Sequence, residues 1–358
     1  MKASEDASEA SGRLSRMGWA AVQSVYRYGS SPGPVQTLYR TIRSNNDYNR
    51  DSFAMKLLGR SIRATYANLT TPLVVSHPIM VGILRGRANL FYQHGELVAP
   101  SESVVVGASA VMVPTQAVAD TFGRGGYRDE QIFVSGLCIE PALVKQAAEA
   151  RELRLQRYSA NGPLSAAIYS SGAEPREHIE AIASAAIGMV KSGQRVIIFA
   201  QKGKKLSKEI RSQFGAADVP ITQLSTASMI PVDFPPAVLV EYNSRREETT
   251  LTARLFPSFD FFIAPSHERS NWALGLGLPM FILEPCIGPY APLNRDLLNE
   301  RGVAFDLTSQ NHILSVADRV NALRNRGELT RMSDNGWGRE SIDGFSRIAD
   351  YFCTVCAD

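Results

Sequence analysis

A succession of short apolar runs, separated by longer amphipathic stretches, constrains the fold more than any other feature of the sequence. The first series is PLVVS (72–76), NLFYQ (89–93), AVMVP (110–114) and QIFVS (131–135). The second is LSAAIYS (164–170), RVIIFAQ (195–201), AVLVEY (237–242), DFFIAP (260–265), PMFILEP (279–285) and VAFDL (303–307). Runs of this length, bounded by turn residues and spaced by helical stretches, predict parallel strands covered on both faces by helices. Helices are expected at 175–192, 204–214, 267–277, 308–325 and 338–356. A polar helix over Pro141–Asn161, closed by Asn161-Gly162-Pro163, separates the two series. A first domain over 13–145 and a second over 162–337 follow, with 338–358 as a terminal helix able to cross back to the first. The length of 358 residues suits two domains. Residues 13–70 read as helices. The cleanest is Asp51–Leu69, where Met55, Leu58, Ile62, Tyr66 and Leu69 recur at helical spacing. Residues 1–12 are small and polar and are expected to be disordered.

Several classes drop out on composition. The net charge of +3 is too small to argue for nucleic acid. No apolar run approaches the roughly 18–20 residues of a membrane span, and no signal-peptide core follows the polar start, so a cytoplasmic protein is expected. Cys138, Cys286, Cys353 and Cys356 form no disulfide framework. The Cys353-Thr-Val-Cys356 spacing lacks the second pair that a structural zinc site needs, and no metal site is expected.

In open parallel sheets, ligands bind beyond the carboxyl ends of the strands. Three of the five histidines stand there: His77, His94 and His267. His178 and His312 fall near helix starts and read as surface residues. Other groups in the same position suit phosphate: Ser170-Ser171-Gly172, Gln201-Lys202-Gly203-Lys204-Lys205, and the cluster Ser266 to Asn271. Helix starts offer unpaired N–H groups and partial positive charge. The same residue types also cap helices with no ligand involved. There is no G-x-G-x-x-G and no Walker A sequence, which counts against dinucleotide oxidoreductases and P-loop enzymes.

The segments LVVSHPIM (73–80), SAVMVPTQAVADTFGRGGYRDEQIFVSGLCIEPAL (109–143), FDFFIAPSHERSNWALGLGLPMFIL (259–283) and NRDLLNERGVAF (294–305) resemble the monogalactosyldiacylglycerol synthase and processive diacylglycerol glucosyltransferase group. MurG is a more distant relative of that group. The resemblance implies an α/β protein of GT-B fold, with two Rossmann-like domains whose parallel sheets face an interdomain cleft, the first led by helices. It implies a metal-independent, inverting glycosyltransferase with no cofactor. The partners would be a nucleotide-diphosphate sugar and a lipid or small-molecule acceptor. The donor would be held in the second domain by Ser171, Gly172, Gln201, Ser266, His267, Ser270, Asn271, Trp272 and Asn294. His94 is the preferred general base, because imidazole titrates near neutrality and follows a strand of the first domain. His77, Gly95 and Glu96 would line the acceptor side. Residues 13–45 carry Trp19, Tyr26, Tyr28 and Tyr39 among arginines, which either lie on an anionic membrane face or pack on the first sheet.

The sequence also departs from the group. It lacks the Gly-rich opening loop. Trp272 stands where relatives hold the ribose with a Glu, Tyr290-Ala291 where they carry a Gln-Glu pair, and His94-Gly95 where an Asp is usual. Trp272 then either stacks on base or sugar or packs in the core. Two rival readings follow: a non-catalytic GT-B homologue acting as a binding or partner subunit, and a GT-B sugar-nucleotide epimerase.

Overall fold

The computed structural model describes residues 47–50, 53–66, 68–225, 234–267 and 269–355. The expected helices over 13–45, the start at 1–12, Glu268 and Cys356 lie outside these. The chain divides into two compact units. One takes the residues up to Cys138 with Gly288–Tyr290 and the stretch from Gly344; the other takes Ile139–Ile287 and Ala291–Asp343. Among the described residues no helix is long and apolar enough to cross a membrane.

The first unit runs α1 (Phe53–Tyr66), β1 (Leu73–Val75), α2 (Pro78–Ile83), β2 (Leu90–Gln93), β3 (Ala110–Val113), α3 (Gln116–Arg124) and β4 (Ile132–Val134). The strands form one parallel sheet in the order β1-β2-β3-β4. Successive side chains point to opposite faces. Leu90, Tyr92, Val111 and Val113 therefore join Ile62, Val81 and Phe122 from the helices in one core. Phe91, Ala110 and Met112 point the other way, onto Ile348 of the C-terminal helix Gly344–Val355. Phe352 of that helix meets Phe91 edge-on at 4.7 Å, and Tyr351 stacks on Phe133 at 4.7 Å.

The second unit begins with α4 (Pro141–Val144) and α5 (Ala147–Ser159). It continues β5 (Ser165–Tyr169), α6 (Arg176–Lys191), β6 (Arg195–Gln201), α7 (Lys205–Ala216), β7 (Thr222–Leu224), β8 (Ala237–Tyr242) and α8 (Arg245–Leu255). Then come β9 (Phe261–Ala264), α9 (Ser270–Gly275), β10 (Met280–Leu283), α10 (Tyr290–Glu300), β11 (Ala304–Leu307), α11 (Gln310–Leu314), α12 (Val316–Asn325) and α13 (Glu328–Gly336). The sheet is parallel throughout, in the order β11-β10-β9-β5-β6-β8-β7. Order reverses between β9 and β5, which leaves a crevice for ligands at their carboxyl ends. The central strands are buried on both faces, so their sequences are continuous apolar runs.

Several expected elements differ. The Pro141–Asn161 helix is two helices, broken at Lys145 and Gln146. The 308–325 helix is split at Ser315, whose hydroxyl bonds back to Asn311 O at 2.6 Å and competes with the helical backbone. The expected 267–277 helix shrinks to α9, six residues long. Ahead of it His267 N bonds to Pro265 O and Ser270 N to His267 O, in place of the expected first helical turn. The edge strand β7 was not expected: Thr222 and Gln223 are exposed and polar, so no apolar run marks it.

Candidate functional site

The loops at the carboxyl ends of β5, β9 and β10 hold several buried polar side chains. After β5, the hydroxyls of Ser170 and Ser171 are buried without a hydrogen-bond partner, while Gly172 is exposed. After β9, the Ser270 hydroxyl is likewise buried and unpartnered. β5 and β9 are paired neighbours, so these orphaned oxygens belong to adjacent strand ends. Native interiors leave few such groups, and each asks for a missing water, ion or ligand.

Other expected donor residues are occupied by the protein itself. Ser266 is fully buried; its hydroxyl donates to Ala291 O at 2.8 Å, and Asn294 Nδ2 donates to Ser266 O at 3.0 Å. These bonds tie α10 to the end of β9. Asn271 is buried and His267 is half-buried. Gln201 is half-buried, and Lys202 to Lys205 are exposed. The start of α7 is filled from within: Glu174 Oε2 accepts from Leu206 N at 3.2 Å, and burial raises its carboxyl. Trp272 is 3% exposed and packs edge-on to Tyr169 at 5.6 Å and tilted to Phe262 at 5.7 Å. Of its two expected roles, this geometry is that of core packing.

Three residues not named among the expected donor contacts carry weight here. Arg269 lies 4.2 Å above the Tyr169 ring and pairs with Glu248, which also binds Arg245 at 2.9 Å. Nothing local in the sequence announces that pair, since Glu248 comes from α8. Glu284 accepts from Cys286 N at 2.7 Å and pairs with Arg295 at 2.9 Å. Burial pushes the Cys286 thiol up to about 12. His178, expected at the surface, is fully buried on α6. Its Nε2 lies 3.0 Å from Pro285 O, and its Nδ1 is buried without a partner. His312 keeps the place expected for it, beside the Ser309 cap of α11.

In the first unit, His77 is exposed and its Nδ1 accepts from Ile79 N at 3.2 Å, which makes it the cap of α2. Gly95 and Glu96 are half-buried. His94 was expected on an open rim and is instead 3% exposed. Its Nε2 lies 2.9 Å from Val98 O, and its Nδ1 lies 3.2 Å from the Tyr92 hydroxyl. A carbonyl only accepts, so Nε2 carries the proton and Nδ1 accepts from Tyr92. Both nitrogens are thus engaged. Burial lowers the imidazole from 6.5 to about 4.

That shift makes a stability prediction. The folded state refuses a proton that the unfolded chain takes up near pH 6.5, so this contribution is present above pH 6.5 and lost as pH falls toward 4. His94→Gln is expected to flatten the acid limb by on the order of 2–3 kcal/mol across that window. Urea midpoints at several pH values between 7.5 and 4.5 check it; parallel curves for the two proteins would remove the assignment.

No family model and no curated protein matches this chain. Solved structures do. A putative UDP-N-acetylglucosamine 2-epimerase from Listeria monocytogenes superposes with a TM-score of 0.55 at 13% identity, over 83% of this chain and 76% of the other. A Staphylococcus aureus MnaA–UDP co-structure gives 0.50 at 11% identity, over 94% and 80%. WaaG, a glycosyltransferase involved in lipopolysaccharide biosynthesis, gives 0.42 at 13% identity, over 82% and 78%. The first two of these show that the chain shares a fold of the GT-B type, two parallel α/β units. None of these three structures is of the narrower diacylglycerol glycosyltransferase or MurG-like group named by the sequence resemblance, and that finer placement is not supported.

Proposed function

We propose that this chain binds a nucleotide-diphosphate sugar through its second unit and transfers the sugar, without a metal, to a lipid or small-molecule acceptor. The observation that supports this reading is the set of buried, unpartnered hydroxyls of Ser170, Ser171 and Ser270 at the ends of β5 and β9. Neutral hydroxyls donate to phosphate oxygens and accept from sugar hydroxyls. Two of the matching proteins are described with UDP or a UDP-sugar, which makes UDP the first probe. Residues 13–45, with their aromatics and arginines, are proposed as the face toward a lipid acceptor.

A second reading is a GT-B homologue that binds the donor without turnover. The engaged ring of His94 favours it, since both nitrogens serve the fold. In either reading we assign His94 to structure rather than to proton transfer. Transfer and hydrolysis assays with a panel of nucleotide sugars separate the two readings.

Binding is the common test. Millimolar UDP or GDP is expected to raise the Tm of the whole chain, because a ligand that binds only the folded state stabilises it by mass action. At 100 times the dissociation constant the gain is about 2.7 kcal/mol. Ser270→Trp is expected to abolish that shift. No shift with any nucleotide diphosphate would overturn the donor-site reading.

A further inference from the structure

His178 is the one buried imidazole in the second unit, and its two nitrogens are in different situations. Nε2 faces the carbonyl of Pro285 at 3.0 Å, so Nε2 carries a proton and donates it. In the neutral ring this leaves Nδ1 as a lone-pair acceptor, and Nδ1 is buried with no donor in reach. The residue stands in the first turns of α6, the helix that follows the Ser170–Ser171 loop. Its partner Pro285 follows β10. In the sheet, β9 lies between β10 and β5. The imidazole therefore bridges the outer two of three adjacent strand ends, and the unpartnered hydroxyls of Ser171 and Ser270 follow two of those strands.

We propose that Nδ1 of His178 accepts a hydrogen bond from a hydroxyl or amide N–H on the sugar of the bound nucleotide; this rests on the nucleotide-sugar reading above. An acceptor atom repels a phosphate oxygen and selects a group that brings its own proton. The surroundings reinforce the choice. Glu177 and Glu284 both bear on the ring with negative charge. The arginine beside Glu284, Arg295, is already held by that carboxylate at 2.9 Å. Arg269 is held by Glu248. The carboxylates around the ring make the spot polar and unwelcoming to anions, which describes a sugar subsite rather than a second phosphate site. His178 would then decide between a nucleotide and its sugar conjugate.

Two near-isosteric replacements separate the nitrogens. His178→Gln places an amide near the Nε2 position, keeping the donor to Pro285 O and removing the acceptor at Nδ1. His178→Asn keeps an acceptor near the Nδ1 position. Calorimetry on the full chain would compare UDP, UDP-glucose and UDP-N-acetylglucosamine. Wild type is expected to bind one of the sugar nucleotides about five- to tenfold more tightly than UDP, the worth of one neutral hydrogen bond. His178→Gln should bind UDP as wild type does and lose the preference, while His178→Asn should keep it. The proposal is overturned if wild type does not distinguish sugar nucleotide from UDP. It is overturned if His178→Gln retains the preference, which would mean that only a buried water meets Nδ1. It also falls if His178→Gln loses affinity for UDP itself, because the imidazole would then serve the diphosphate. Absence of any binding by wild type would instead remove the donor reading, and this inference with it.

Discussion

Gly336→Ala is expected to cost about 3–5 kcal/mol of folding stability, at or above the upper end of ordinary overpacking. Gly336 is the last residue of α13, and a Cβ built there would lie 1.8 Å from the carbonyl oxygen of Ala273 in α9. The obstacle is backbone, so no side-chain rotation relieves it. A second contact beside it is also too close for a side chain: at Gly277, whose φ is +56°, a Cβ would stand 2.6 Å from Ser333 O. α13 and the α9 turn thus meet backbone to backbone, which fixes the short helix that carries Ser270. Urea unfolding of wild type and Gly336→Ala measures the cost. Gly215→Ala in α7 is the control, since its Cβ would meet nothing within 4 Å. There the loss of unfolded-state freedom should give a gain of about 0.4–1 kcal/mol. If both variants behave alike, the close approach is not what holds α9. The nucleotide-induced Tm shift should also weaken in Gly336→Ala, because Ser270 moves with the helix.

The strands were legible because burial on both faces demands unbroken apolar sequence, as in Arg195–Gln201 and Phe261–Ala264. β7 was illegible for the opposite reason. It lies at the sheet edge, pairs only with β8, and exposes Thr222 and Gln223. Helix lengths failed where side chains or turns compete with the backbone, at Ser315 and just ahead of Ser270. The alternation of strand and helix sufficed for two parallel α/β units, whereas the GT-B architecture was implied by the family resemblance and not by any periodicity.

For the candidate site, chain position was legible and the surroundings of each side chain were not. Placement after a strand marked Ser171 and Ser270 correctly as residues of the strand-end loops, because the fold rule depends only on chain direction. Burial and partners depend on tertiary contacts that no local pattern carries. His94 and His178 illustrate this. One follows a strand but folds under, onto Val98 O and Tyr92; the other starts a helix but is covered by the loop after β10. Trp272 takes its surroundings from Tyr169 and Phe262, which are distant in sequence or on another strand.

Arg154→Leu is expected to lose about 3–5 kcal/mol, the usual cost of breaking a buried polar cluster from one side. Arg154 on α5 is fully buried. Its Nε donates to Phe259 O at 3.1 Å, and its Nη1 donates to Leu276 O at 3.2 Å and Gly277 O at 2.8 Å. One guanidinium therefore ties the entry of β9 to the turn that ends α9. Burial lowers it to about 10, which still leaves it charged at neutral pH. Beside it Arg157 pairs with the buried Asp260 at 2.6 Å, and the Tyr158 hydroxyl donates to Asp260 O. A leucine fills much of the space and spares the desolvation of a cation. Replacing a whole buried polar group by apolar side chains is often neutral for that reason. Here the partners are backbone carbonyls, which cannot be removed with it. They stay buried, and each orphaned carbonyl costs about 1–3 kcal/mol. Arg154→Lys should fall between, since a single ammonium lacks the planar fork that reaches three acceptors. Guanidinium denaturation of the three proteins gives the order wild type, Lys, Leu. A leucine variant as stable as wild type would show that the α9 turn is held by packing against α13 alone, and that the guanidinium serves no structural purpose.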